Sequence, residues 1–401
     1  MWTIVVLSLV IAITNMLDVF TDIVAVAVIG VTPLQLGLFN SLAYVIFIFM
    51  LLLGSRLSER GIIRLQVLLT LLYFLGYGVL LDFVIASRNQ LVLAAAYLVY
   101  SAAQALARTS AMAYIHEMYS SDLWEKLISR RAVVTVVCEA LLMVVISVAG
   151  VNAVVTGINA VYFVAFLVLP ALMALVLVKD PPLRIEKPMY MIDVGLSRVE
   201  RLITSNLALY TLLTERDSLR WTSLKAVLYR SKHVEAGRIL AALVIFRVSN
   251  AILLLQLPVY LAKTLGYTSS DMLRIYGLAR FLLLVDLLLP STTWRRAYLA
   301  MFARGLIPLL FLVQGLNSRN LAVAVVLGLI IYVNTKLDTA LYSMYIDSLG
   351  RVETTRYLVI GELAGFLGTT VSGVVYSLAG YEGIVFVNVL LFALEAILVK
   401  P

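Results

Sequence analysis

Charge is scarce in this chain: Asp, Glu, Lys and Arg make up 13% of 401 residues, against about a quarter in an ordinary soluble domain. Hydrophobic residues fill 62% of it, and the mean hydropathy is +1.01. A water-soluble fold of this size cannot hide such an excess, because much of its surface still faces water. Cysteine is nearly absent. The single Cys138 excludes an internal disulfide framework and reads as a packing residue. The two histidines, His116 and His233, stand far apart and offer no histidine-based metal site. No Gly-rich loop ending in Lys-Ser/Thr is present, which argues against direct ATP drive, and no cofactor is expected. The formal charge of +8 does not point to nucleic acid, because the basic residues flank apolar runs instead of forming a stripe.

What the chain does have is long apolar runs. Its start, MWTIVVLSLVIAIT, lacks a basic leader region and continues past signal-peptide length, so it reads as a membrane helix. A spanning helix needs about 20 mostly apolar residues. Breaks at Gly, Pro and charge clusters predict spans near 3–29, 34–54, 62–81, 90–116, 132–150 and 155–178. After a polar interval, further spans are predicted near 238–261, 272–290, 296–314, 320–345, 357–379 and 383–399. The expected fold is therefore an all-α polytopic membrane protein of twelve transmembrane helices in two six-helix bundles. The bundles occupy 1–178 and 238–401, joined by a cytoplasmic linker over 179–237 in which GLSRVERLITSNLALYTLL and SLRWTSLKAVLYR have the mixed pattern of amphipathic helices.

Orientation follows from Lys and Arg. Short loops predicted to be cytoplasmic hold Arg56, Arg60, Arg64, Lys126, Arg130, Arg131, Arg295, Arg296, Arg351 and Arg356, against Arg88, Lys263, Arg274 and Arg319 outside. Both termini are expected in the cytoplasm, with the plasma membrane as the expected location. The halves also echo each other. ALARTSAMAYIHEM closes the fourth span as NTKLDTALYSMYIDSL closes the tenth, and Glu139 and Glu362 sit at matching places in the fifth and eleventh.

Ionisable residues deep in lipid cost several kcal/mol unless they meet water or a partner, so they mark function or structural pairing. Asn15, Asp18 and Asp22 share one helix face, as do Tyr100, Gln104 and Arg108, and Asn334, Asp338 and Tyr342. Lys336 points about 200 degrees away from Asp338, at 100 degrees per residue. Arg247 and Asn250 line one side of the seventh span, with Gln256 further along. The sharp expectation is one polar cavity among helices 1, 4, 7 and 10, with Asp18 and Asp22 working with Arg108, opposite Arg247, Lys336 and Asp338. Permanent ion pairs holding helices together are the alternative. Arg280, Asp286 and Arg304 are expected to form a local structural network between the eighth and ninth spans, and Glu139 and Glu362 to pair with arginines near helix ends or take part in the chemistry. Gly361, Gly365, Gly368 and Gly373 suit close helix packing.

After the second span comes GSRLSERGIIRL, residues 54–65. It resembles the loop motif of the major facilitator superfamily, a Gly-x-Leu-Ala-Asp-Arg-x-Gly-Arg-Lys pattern. Leu57, Ser58, Glu59 and Arg60 match the leucine, small residue, acid and arginine, while Gly54 and Gly61 are each displaced by one position. The chain is thus similar to a divergent member of that family over nearly its whole length. The resemblance implies a non-enzymatic secondary transporter working by alternating access, functional as a monomer, with a small solute and membrane lipid as its partners and proton coupling left open. It also implies cytoplasmic gate work for Glu59, Arg60 and Arg64, with Arg130 and Arg131 nearby. The loop PSTTWRRAY keeps only the basic residues of a second motif copy, and ALLMVVISVAG lacks the Gly-Pro signature of many drug–proton antiporters. A lipid flippase or scramblase, a membrane receptor or channel, and a multipass membrane enzyme are the competing classes.

Overall fold

The computed structural model describes residues 2–119, 121–151, 158–180, 219–287, 294–313, 320–349 and 354–399. Eleven α-helices make up these residues, and there is no strand among them. In order they are α1 (Trp2–Ile23), α2 (Pro33–Glu59), α3 (Ile63–Ser87), α4 (Gln90–Met118), α5 (Ser121–Ala149), α6 (Ile158–Leu177), α7 (Leu219–Lys263), α8 (Ser269–Phe281), α9 (Trp294–Leu306), α10 (Asn320–Leu349) and α11 (Thr354–Val399). Eight helical stretches are long and apolar enough to cross a membrane, and Val161–Leu177 and Ala300–Leu312 are shorter apolar ones. Large apolar side chains such as Leu72, Val79, Phe83, Val148 and Leu378 stand exposed along the helix flanks. Exposure on this scale suits lipid and not water, and the chain is a polytopic integral membrane protein.

The helix ends follow local chemistry. A π-helical turn, Val24–Ile29, continues α1 and stops at Gly30, whose φ of 78° is left-handed. Thr32 then caps α2 with a reciprocal Thr32–Gln35 box, and Pro33 occupies the first turn, where a missing N–H costs nothing. Thr268 and Asp271 form the same kind of box at α8. The spans expected near 272–290 and 296–314 are short α-helices that tighten into 3₁₀ turns, Leu282–Leu287 and Ile307–Leu312. Gly380, with φ 64° and ψ −164°, breaks α11 into two arms. Of the expected linker, residues 181–218 lie outside the described residues. From Leu219 onward the chain is already helical and runs without interruption into the apolar part of α7.

The two halves meet along two helix pairs, α2 with α11 and α5 with α8. Both need small residues. A Cβ on Gly373 would lie 2.8 Å from Leu34 Cα and from Pro33 O, and one on Gly277 would lie 3.1 Å from Ala140 O. Backbones that close leave no room for a methyl group, so the glycine-rich reading of α11 as a packing face is what its geometry serves.

Candidate functional site

Between these halves lies a cavity of about 470 Å³. Its N-terminal wall comes from α1, α2 and α4, and its C-terminal wall from α7, α8, α10 and α11. Of the residues singled out in the sequence, Asp18, Asp22, Gln104, Arg108, Arg247, Asn250, Asn334 and Asp338 lie on these walls.

The N-terminal wall is a ladder between α1 and α4, and the helical spacing of both explains it. Tyr97 donates to Asp22 Oδ1 at 2.7 Å, and Asn40 of α2 donates to the same oxygen at 2.9 Å. One turn down, Tyr100 donates to Asp18 Oδ1 at 2.7 Å. Another turn down, Asn15 Oδ1 accepts from Gln104 Nε2 at 3.3 Å and from Arg108 Nη2 at 3.2 Å. Arg108 also stacks its guanidinium over Phe47, 5.4 Å from the ring centre. The aspartates are therefore bound by neutral phenols and an amide, where the sequence reading had expected Arg108 to serve them.

The C-terminal wall is organised by cations. Arg247 Nη2 bonds Asp338 Oδ1 at 2.8 Å and Oδ2 at 3.0 Å, and both side chains remain partly exposed to the cavity. Tyr357 steadies the same aspartate, donating to its carbonyl at 3.3 Å. Arg280 reaches across the junction to Glu139 of α5, with Nε to Oε1 at 2.8 Å. Glu139 Oε2 accepts from Asn15 at 3.3 Å, so one carboxylate ties α8 to the ladder on α1.

Three expectations need correction. Gln256 is absent from the cavity wall: it is fully buried and donates to Ser372 Oγ at 3.1 Å and to Pro33 O at 3.3 Å, because its helix face meets α11 and the start of α2. Lys336 is likewise off the wall. Two residues from Asp338 it faces the other way, and its ammonium lies 5.8 Å from the Tyr332 ring centre. Arg280 and Arg304 do not share a network: Arg280 pairs with Glu139, and Arg304 points into the C-terminal half, where it meets asparagines. The side chain of Asp286 lies outside the described residues.

Sequence reading also missed the wall residues Asn40, Tyr44 and Tyr276, and it gave Arg280 a structural role away from the cavity. Asn40 was visible as a lone amide in the apolar run LGLFNSLAYV. Glu362, expected to pair with an arginine or take part in the chemistry, lines the cavity.

At the α2–α3 turn, Glu59, Arg60 and Arg64 are exposed, as is Arg130 on α5, with Arg131 half-buried. The turn itself is held from beneath by Gln66, which is fully buried. Its Nε2 donates to Gly54 O at 3.0 Å and Ser58 Oγ at 2.9 Å, and its Oε1 accepts from Thr109 at 3.0 Å. Asp180 caps α3, accepting from the Arg64 backbone N–H at 2.7 Å.

The Major Facilitator Superfamily matches the sequence over residues 2–355, and the chain belongs to that family. No curated protein matches it in sequence. Among solved structures it is similar to a D-xylose-proton symporter, at 13% identity and TM-score 0.64, covering 100% of this chain and 96% of the other. It is similar to the nucleoside transporter NupG at 12% identity and TM-score 0.65, covering 99% and 96%. The xylose transporter XylE from E. coli, in a partially occluded inward open conformation, matches at 12% identity and TM-score 0.63, covering 98% and 95%. Likenesses at such low identity establish a shared fold.

Proposed function

We propose that this member of the superfamily carries a small solute across the membrane by alternating access, as a secondary active transporter and not an enzyme. The observation that carries this reading is the cavity at the junction of the halves, whose walls hold carboxylates and guanidinia at a depth where hydrocarbon would expel them. The symporter and the nucleoside transporter that share its fold are named for small polar solutes, which is the broad class of cargo assigned here.

The spans are α1 to α10 and the two arms of α11, in bundles over 1–178 and 238–401 with the 179–237 linker between them. The excess of Lys and Arg in the loops supports cytoplasmic termini, with the plasma membrane as the proposed site and the monomer as the proposed working unit. Cross-half hydrogen bonds cluster toward the end that carries the α1–α2 turn. Lys263 Nζ donates to Val31 O at 3.3 Å, Gln256 to Pro33 O, and Ser41 shares hydrogen bonds with Thr369 at 3.0 Å and Thr370 at 2.7 Å. This supports a conformation closed to the outside. Glu59, Arg60 and Arg64, with Arg130 and Arg131, are the proposed gate at the opposite, cytoplasmic end. Asp18 and Asp22 are the proposed proton-exchanging groups, and Gln104, Arg108, Arg247, Asn250, Asn334 and Asp338 the solute contacts.

Purified protein in liposomes, given a broad solute panel with and without an inward pH gradient, tests this. Accumulation that needs the gradient and drops at least tenfold in Asp18→Asn or Asp22→Asn is the expected result. Equal, non-concentrative flux in all three proteins would leave a transporter without proton coupling at these aspartates. No movement of any solute by correctly folded protein would sink the transport reading in favour of lipid flipping.

A further inference from the structure

Arg304 has no exposure to solvent and, among the described residues, no acid within ion-pair distance; the buried Glu395 acts on it only from further off. Three asparagine carbonyls stand where an ionic partner would. Nε donates to Asn334 Oδ1 at 2.5 Å, Nη2 to Asn250 Oδ1 at 2.7 Å and Nη1 to Asn388 Oδ1 at 3.2 Å, while the Phe392 ring covers the guanidinium at 4.8 Å. A guanidinium carries donors only, so each amide has one permitted orientation, oxygen toward the arginine. For Asn388 the NH₂ group is used within the protein, donating to Ser249 Oγ at 2.7 Å and Ser249 O at 3.0 Å. Asn250 and Asn334 differ. Both line the cavity, and their Nδ2 atoms have no acceptor among the described residues. The buried arginine thus turns two amides so that their N–H groups are offered to the cavity. On the same wall stand Arg247, paired with Asp338, and Arg280, paired with Glu139, with Glu362 beside them, so the two amides are the neutral donors that this side leaves unspent.

The facing wall has the opposite polarity. Tyr97 and Tyr100 spend their hydroxyl hydrogens on Asp22 and Asp18, and each aspartate keeps one carboxylate oxygen that no described residue bonds. Around Asp18 and Asp22 that wall accepts, and it carries negative charge there when the aspartates are ionised, while Gln104 and Arg108 stand one to two turns away and donate to Asn15.

Building on the transport reading, we propose that the solute is amino-acid-like, with a carboxylate taken by the donor wall at Asn250 and Asn334 and an ammonium facing Asp18 and Asp22. Arg304 is then a positioning residue that sets the polarity of the wall without touching the solute. A dicarboxylate or phosphate ester would press its second anion against the aspartates. A plain amine would leave the asparagine N–H groups without acceptors, and a neutral polyol would leave the aspartates without a counter-charge.

The test uses the full chain in proteoliposomes and a uniformly ¹⁴C-labelled mixture of the twenty standard L-amino acids, beside labelled xylose, succinate and putrescine. Accumulation of one or more amino acids above protein-free liposomes is expected, with the three controls left behind. Arg304→Met frees both amides to rotate and is expected to abolish uptake. Because that change bares a buried cluster, Asn250→Asp and Asn334→Asp accompany it: each gives Arg304 an ionic partner, which favours folding, while replacing an N–H facing the cavity by a carboxylate oxygen. KM for the transported amino acid is expected to rise about tenfold or more with kcat little changed. A KM within twofold of the parent in both Asn→Asp proteins overturns the positioning role. Uptake of xylose, succinate or putrescine in place of amino acids overturns the assignment of poles while leaving transport intact. Failure of every solute in folded protein removes the transport reading, and this one with it.

Discussion

The two walls of the cavity solve one problem in different ways. On the N-terminal side, carboxylates are kept in the membrane interior by neutral phenols and an amide. On the C-terminal side, cations are kept there by an acid at Arg247 and by three amides at Arg304. Groups held by neutral partners keep a net charge that a ligand or proton answers, whereas matched pairs are already satisfied. The charge on the α1–α4 ladder is therefore negative on balance, whereas in the C-terminal core Arg304 is sealed from solvent among amides, with the buried Glu395 as its acidic neighbour beyond ion-pair distance.

The largest effect is expected where the walls join. Glu139 is 2% exposed and Arg280 25%, so Glu139→Ala strands a guanidinium in a poorly solvated place. A loss of roughly 3–5 kcal/mol in thermal or denaturant stability in detergent is expected, most of it restored in the Glu139→Gln/Arg280→Gln protein. A small loss in the single variant would show that water reaches this pair freely. Next comes a direct comparison of the walls. Tyr100→Phe removes a buried phenol that donates to a carboxylate and is expected to cost about 1.5–3 kcal/mol. Asp338→Asn breaks an ion pair whose side chains are 31% and 38% exposed, and solvent screening limits its cost to about 1 kcal/mol or less. If the ion pair proves worth more than the phenol, the contrast drawn between the walls fails. Smallest is Asp180→Ala, which uncaps α3 and is expected to cost about 1 kcal/mol in stability, with KM unchanged.

Much of this was legible in the sequence because a helix turns regularly. Asn15, Asp18 and Asp22 had to share a face, as did Tyr100, Gln104 and Arg108, and the two faces do meet. What spacing cannot supply is the rotation of one helix against the next. Asp18 therefore met Tyr100 in place of Arg108, and Arg280, next in sequence to residues of its own half, found Glu139 in the other. Gln256 and Lys336 are polar residues in apolar helices like the rest, and only their neighbours reveal that one packs between helices and the other faces off the wall. The grip of Gln66 on the α2–α3 turn was hidden for another reason. Its partners include a backbone carbonyl, which every residue has and no motif records.

The same invisibility marks the contacts at the α1–α2 turn, where Lys263 and Gln256 grasp the carbonyls of Val31 and Pro33. Only one side of this fastening is written in side chains. Exchanging Val31 or Pro33 leaves its carbonyl oxygen in place, so the strength of these two contacts is set by the side chains of α7, a lock whose key can be recut and whose keyhole cannot.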